Sequence, residues 1–65
     1  MTTTLTVEGM SCEHCEQTVT EALEAVDGVA AVTVDHETDS ATVEGDADVE
    51  TLLAAVEDAG YDAAA

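Results

Sequence analysis

The sequence contains no lysine, no arginine and no proline, and neither phenylalanine nor tryptophan. Each absence removes a class of function. With no permanently cationic side chain, recognition of nucleic acid or an anionic membrane through phosphate contacts is excluded. No apolar run approaches the ~20 residues that a membrane span needs, so no membrane insertion is expected. The start, Met1-Thr2-Thr3-Thr4-Leu5, has neither the charged region nor the apolar stretch of a secretory signal. The protein is therefore expected to be cytoplasmic. The lack of proline goes with a lack of low-complexity tracts and linkers. The 65 residues allow one small domain, spanning 1–65. A domain of this size buries only ~60% of its unfolded surface, so the core is thin and a deep catalytic cleft is not expected.

What is abundant is acid. Sixteen Asp and Glu residues give a formal net charge of −16. At a mean separation of ~15 Å each like-charge pair costs roughly 0.3 kcal/mol in unscreened water. Summed over all pairs this is on the order of 30 kcal/mol, an upper bound because the unfolded chain repels itself too. Typical stability is only ~5–15 kcal/mol. At 1 M salt the Debye length shrinks to ~3 Å and the repulsion vanishes. The composition fits a cytoplasm of molar salt, and the expectation is an acidic, halophilic protein. The alternative is an ordinary acidic protein with a basic partner. The apolar fraction of 46% is too high and too well patterned for disorder.

The patterning predicts six elements. Thr3 to Val7 reads as a strand, with Met1, Thr3, Leu5 and Val7 on one face. Glu8-Gly9-Met10-Ser11 breaks the alternation. From Cys12 the period changes: Cys15, Val19, Ala22, Leu23 and Val26 form one helical stripe, with Glu13, Glu16, Glu21 and Glu24 off it. Ser11 is the expected N-cap and Gly28 the C′ residue. Ala30, Val32 and Val34 alternate with Ala31, Thr33 and Asp35 in a second strand. A turn at His36–Ser40 leads to a third strand with Ala41 and Val43 inward, making a hairpin. Asp46 or Asp48 caps a second helix with the stripe Val49, Leu52, Leu53 and Val56, and Gly60 ends it. Tyr61 to Ala64 is a short last strand. The order β-α-β-β-α-β predicts an α+β, ferredoxin-like fold: a four-stranded antiparallel sheet with two helices on one face.

The chemistry lies in Gly9-Met10-Ser11-Cys12-Glu13-His14-Cys15, which holds both cysteines of the chain. Cys-x-x-Cys has three common uses. A structural zinc site wants four ligands, and only His14, His36 and carboxylates could complete it. A redox dithiol suits a helix start, where the dipole lowers a thiol pKa. Its usual host is a thioredoxin-type domain, longer than this chain and with a proline and a flanking tryptophan. The third use is a soft metal: thiolates select Cu(I), which accepts few ligands. One thiolate in a loop and one in the first helical turn can hold it in a near-linear or open trigonal arrangement that suits transfer.

Gly9-Met10-Ser11-Cys12-x-x-Cys15 resembles the GMxCxxC motif of the heavy-metal-associated domain family, which includes CopZ-type copper chaperones and the N-terminal modules of copper-exporting P-type ATPases. The resemblance extends along the chain. Gly28-Val29, Val32–Asp35, Ala41–Gly45 and Asp58-Ala59-Gly60-Tyr61-Asp62-Ala63 all resemble family segments. It implies that Cys12 and Cys15 are the Cu(I) ligands, that Met10 packs beneath the loop and steadies it, and that Tyr61 covers the metal from close by. Zinc-selective members often carry an acid directly before the first cysteine; Ser11 in that place favours copper over zinc.

The residues leave some positions open. His14 lies between the cysteines and could be a weak third ligand, although a helical turn should point it away from both sulfurs. His36 reads as a turn residue, and Glu13 and Glu16 as a solvated face. The expected function is that of a copper chaperone passing Cu(I) by ligand exchange to the metal-binding domain of a copper-exporting P-type ATPase. No reaction is expected beyond that exchange. The alternatives are an excised regulatory module of such an ATPase and a small dithiol redox protein. The Met1 start and an end at the domain edge favour the free protein. Other soft metal ions, such as Ag(I) and Hg(II), compete for the same ligands and Zn(II) is expected to compete poorly, and two exposed cysteine pairs could share copper in a metal-bridged homodimer. A protein this acidic offers no basic face, so docking rests on a basic patch of the partner or on apolar contacts near Met10 and Tyr61.

Overall fold

Strand alternation and helical periodicity, read along the chain, become six elements in the computed structural model, which describes residues 1–65. They are β1 (Thr2–Glu8), α1 (Glu13–Glu24), β2 (Val29–Asp35), β3 (Ser40–Gly45), α2 (Val49–Asp58) and β4 (Asp62–Ala64). All pairings are antiparallel, and the sheet order is β2-β3-β1-β4. This is the ferredoxin-like βαββαβ sandwich.

Register explains which face is covered. Leu5 lies opposite Ala41, which lies opposite Val34. Val43 lies opposite both Thr3 and Val32. Leu5, Val7, Ala41 and Val43 form one buried cluster with Val19 and Leu23 of α1, Leu52 and Val56 of α2, and Met10. Both helices therefore sit on the same face. Full burial of each Leu or Val contributes roughly 1.5–3 kcal/mol. The opposite face carries the alternate residues, including the row Thr4, Thr42 and Thr33 across three strands. Met1 precedes β1 and its side chain is 93% exposed, so the inward stripe of that strand begins at Thr3.

Several boundaries differ from the sequence reading. The N-cap of α1 is Cys12, not Ser11: Cys12 is extended, and its carbonyl accepts the first bond of the helix from the Glu16 amide at 3.2 Å. Helix α1 ends at Glu24, earlier than Gly28 implied. Gly28 is instead the third residue of a turn closed by the Val29 amide on the Val26 carbonyl, and its φ of +94° is the left-handed value that position of a type II turn requires. In β2 a bulge between Val29 and Ala31 interrupts the alternation, so Ala30 and Ala31 are both exposed and Ala30 is not on the inward face. Helix α2 starts after Asp48, the second of the two caps considered.

The end of α2 has consequences for the site. The Gly60 amide bonds the Glu57 carbonyl at 3.0 Å, and the Tyr61 amide bonds the Val56 carbonyl at 3.3 Å. With Gly60 at φ +99°, this is a Schellman cap. The Tyr61 amide is thereby committed to the helix end, and β4 begins one residue later than expected, at Asp62.

Candidate metal centre

Strand β1 and helix α1 deliver the loop Gly9–Cys12 to one end of the sheet. Met10 turns inward and is only 7% exposed, packed in the core cluster beneath the loop. That anchors the loop through apolar burial and leaves its neighbours at the surface. Ser11 and Cys12 are exposed, and Cys15, one turn into the helix, is half-buried against the core. Both cysteines are free thiols.

The two sulfurs face each other at 4.0 Å, with the Cys12 thiol donating toward Cys15. That is about twice a disulfide bond length of ~2.05 Å, and leaves room for an ion. At a thiolate–metal distance of ~2.3 Å this separation corresponds to an S–metal–S angle of about 120°, wider than tetrahedral and short of linear. The Ser11 hydroxyl lies 3.8 Å from the Cys15 sulfur.

Electrostatics favour the thiolate. Cys15 is brought from its ordinary value of 9.0 down to about 6. The largest cause is the Ser11 backbone amide, followed by the hydroxyls of Tyr61 and Ser11; partial burial opposes them, and the Cys12 thiol adds a smaller contribution. Tyr61 shows the reciprocal effect. Its hydroxyl is held above its ordinary pKa, first by donating to Cys15 and then by burial and the nearby thiolate charge. The Tyr61 ring also borders the loop: a Cβ on Gly9 would be 3.5 Å from its Cδ1. Ser11, Cys12, Cys15, Met10 and Tyr61 are thus one assembly.

His14 is exposed on the first turn of α1, and its carbonyl accepts from the Thr18 hydroxyl at 3.1 Å. No group of three or more His, Cys, Asp or Glu side chains is placed to hold one ion. The chemistry on offer is that of two sulfurs at a surface tip.

One pair was missed in the sequence. Glu16, read as part of a solvated face, accepts from the His36 backbone amide at 2.7 Å and lies 2.6 Å from His36 Nδ1. His36 is in the β2–β3 turn as expected, but it is bound to the helix that carries Cys15. Periodicity holds no sign of this contact. It follows from topology, because the β2–β3 turn and the cysteine loop lie at the same end of the sheet.

The heavy-metal-associated domain matches residues 4–62. The chain belongs to the heavy-metal-associated domain family. It is 47% identical over 64 residues to the copper chaperone CopZ of Bacillus subtilis, covering 94% of this chain and 93% of that protein. Among solved structures, a CopZ metallochaperone superposes with a TM-score of 0.94 at 39% identity, covering 98% of this chain and all of that one. The N-terminal domain of a potential copper-translocating P-type ATPase from Bacillus subtilis, in its Cu(I)-loaded state, superposes at 0.88 with 31% identity, covering 95% and 81%. No helix of the chain is long and apolar enough to cross a membrane.

Proposed function

We propose that this heavy-metal-associated domain is a cytoplasmic copper chaperone, residues 1–65 acting as one unit. It carries Cu(I) on Cys12 and Cys15 and passes it to the metal-binding domain of a copper-exporting P-type ATPase. The observation that carries the reading is the pair of sulfurs 4.0 Å apart on an exposed tip, one of them with its thiol pKa near 6. Near-neutral pH then gives Cys15 as a thiolate without a base, and soft thiolates select a soft monovalent ion. Its likeness to CopZ along nearly the whole of both chains supports the chaperone assignment.

Transfer follows from the open coordination. An incoming thiolate of the partner adds to the ion before Cys12, the more exposed sulfur, departs; Cys15 leaves last. Each step exchanges one copper–sulfur bond for another, so no reductant or proton donor is required. Met10 steadies the loop during exchange, and Ser11 and Tyr61 stabilise the Cys15 thiolate as the ion goes. Two chains could meet around one ion as a metal-bridged homodimer by the same chemistry. Ag(I) and Hg(II), also soft, compete for the pair; Zn(II), which prefers four ligands, competes poorly. The likeness to an ATPase domain favours a second reading, a regulatory module of a heavy-metal ATPase.

The test is an anaerobic Cu(I) titration in high KCl against a competing chelator. One tightly held Cu(I) per chain is expected, with affinity collapsing in Cys12→Ser and in Cys15→Ser. Tight binding that survives both substitutions would move the site to His14, His36 and the carboxylates. Insulin reduction by the apo-protein would point to the redox alternative.

A further inference from the structure

The loop that carries the sulfurs is held from both flanks by one turn. On the strand side, the Val7 amide donates to the Asp39 carbonyl at 2.7 Å. On the helix side, Glu16 Oε2 receives the His36 amide at 2.7 Å and lies 2.6 Å from the His36 ring nitrogen. His36 and Asp39 are the first and last residues of the connection between β2 and β3. Asp39 takes a φ of +54°, a left-handed conformation that aspartate tolerates better than most non-glycine residues and that turns the chain tightly into β3. Between these anchors the loop is held from beneath by the buried Met10. Cys12 caps α1 without any side-chain hydrogen bond, so the first turn that presents Cys15 is not secured by the usual device.

We infer that the β2–β3 turn is a strut for the thiolate loop, and that Glu16, bonded to His36, is the positioning residue that fixes the first turn of α1 and with it the spacing of Cys12 and Cys15. The inference rests on the copper reading above and deepens it. Glu16 touches neither sulfur. It acts by holding the backbone one residue beyond Cys15 against a turn already tied to β1. The sulfurs then keep a metal-ready separation before any ion arrives, and the ordering cost of closing the pair around copper falls.

The experiment compares the full chain with Glu16→Ala, Glu16→Gln, His36→Ala and Val29→Ala, all in high KCl. Val29 packs on the core at the other end of the sheet, opposite Gly45. It controls for simple loss of stability. Two quantities are read: Cu(I) affinity by chelator competition, and amide hydrogen exchange of Glu16–Val19, the first hydrogen-bonded amides of α1, in the apo-protein. Glu16→Ala is expected to lose about tenfold in Cu(I) affinity, the scale seen when a ligand's supporting contact is removed, and to exchange those amides faster by a similar factor. Glu16→Gln keeps an acceptor for the His36 amide and should recover most of both. His36→Ala keeps the backbone donor and should fall between. Val29→Ala should lower the melting temperature and leave affinity unchanged. The inference is overturned if Glu16→Ala matches the native chain in affinity and exchange, or if Val29→Ala loses as much affinity. Should Glu16→Ala fail to fold, the Gln and His36 variants decide the same question. If the native chain itself ignores Cu(I), the copper reading falls, and apo exchange alone still judges the strut.

Discussion

Tyr61 borders Gly9 across the two halves of the fold: its Cδ1 would lie 3.5 Å from a Cβ placed on the glycine. That distance is ordinary van der Waals contact, so the ring can stay if a methyl is added. The φ of +99° at Gly9 is what resists a side chain. Gly9→Ala should cost on the order of 1–3 kcal/mol through backbone strain and weaken metal binding by disturbing the loop. Thermal melts and Cu(I) competition check it; an unchanged melting temperature would contradict it.

The same ring carries the hydroxyl that helps lower the Cys15 pKa to about 6. Tyr61→Phe removes that donor while keeping the ring on Gly9. The thiolate then loses a stabilising hydrogen bond and the Cys15 pKa should rise. Alkylation of Cys15 followed by mass spectrometry across pH should show its midpoint moving upward. The Ser11 amide remains, so the shift should be partial. A midpoint that does not move would mean the hydroxyl has no hold on the sulfur.

The Glu16–His36 pair predicts a window of pH-dependent stability. The His36 pKa is raised from 6.5, first by hydrogen bonding to Glu16, with further help from the charges of Glu16, Glu37 and Asp35 and opposition from burial. Its stabilisation is complete below 6.5 and fades as pH climbs through the folded value. The Glu16 pKa is lowered from 4.5, first by the His36 amide and then by its ring. That contribution is complete above 4.5 and fades as pH drops through the folded value. Both are therefore present together between the ordinary values of 4.5 and 6.5. The difference in melting temperature between the native chain and His36→Ala should be largest in that window and shrink at alkaline pH. A pH-independent difference would rule out the ion pair as its source.

Salt should govern the fold as a whole. The chain has sixteen acids and no lysine or arginine to offset them. Raising KCl from roughly 0.1 M to about 3 M screens the repulsion and should raise the melting temperature markedly. A flat profile would remove the halophilic interpretation.

Leu23 and Leu52 are fully buried, one from each helix. Either leucine replaced by alanine should cost about 2–5 kcal/mol. In so small a core that is a large share of a typical ~5–15 kcal/mol, and these variants should unfold first as salt is withdrawn. Chemical denaturation at high and low KCl tests this. A loss below about 1 kcal/mol would show that the core repacks.

The features legible in the sequence were those written in periodicity. Leu5 and Val7, Ala41 and Val43, and the stripes Val19–Leu23 and Leu52–Val56 each repeat with the spacing of the element they build, and all of them are buried. The Gly60 signal for the end of α2 was equally readable, because a left-handed cap has few alternatives to glycine. Boundaries set by competition for backbone groups were not. Tyr61 reads as strand by composition, but its amide is taken by the helix cap. Ala30 continues an alternating pattern that a bulge interrupts, and alanine carries too little burial preference to reveal it. At the tip, Cys12, Cys15 and Met10 were legible from motif and polarity. The partnership of Glu16 with His36 was not, since it joins residues 20 apart along the chain through a contact that only the folded hairpin creates.

The order β2-β3-β1-β4 seats the last strand beside the first. The cysteines come from the first third of the polypeptide, while the phenol that tempers one of them arrives near its end. During synthesis both thiols would leave the ribosome well before Tyr61, with Cys15 still lacking the phenol's hydrogen bond. Full avidity for cargo would then mature only when the final β-strand docks, which ties readiness to load with completion of the fold.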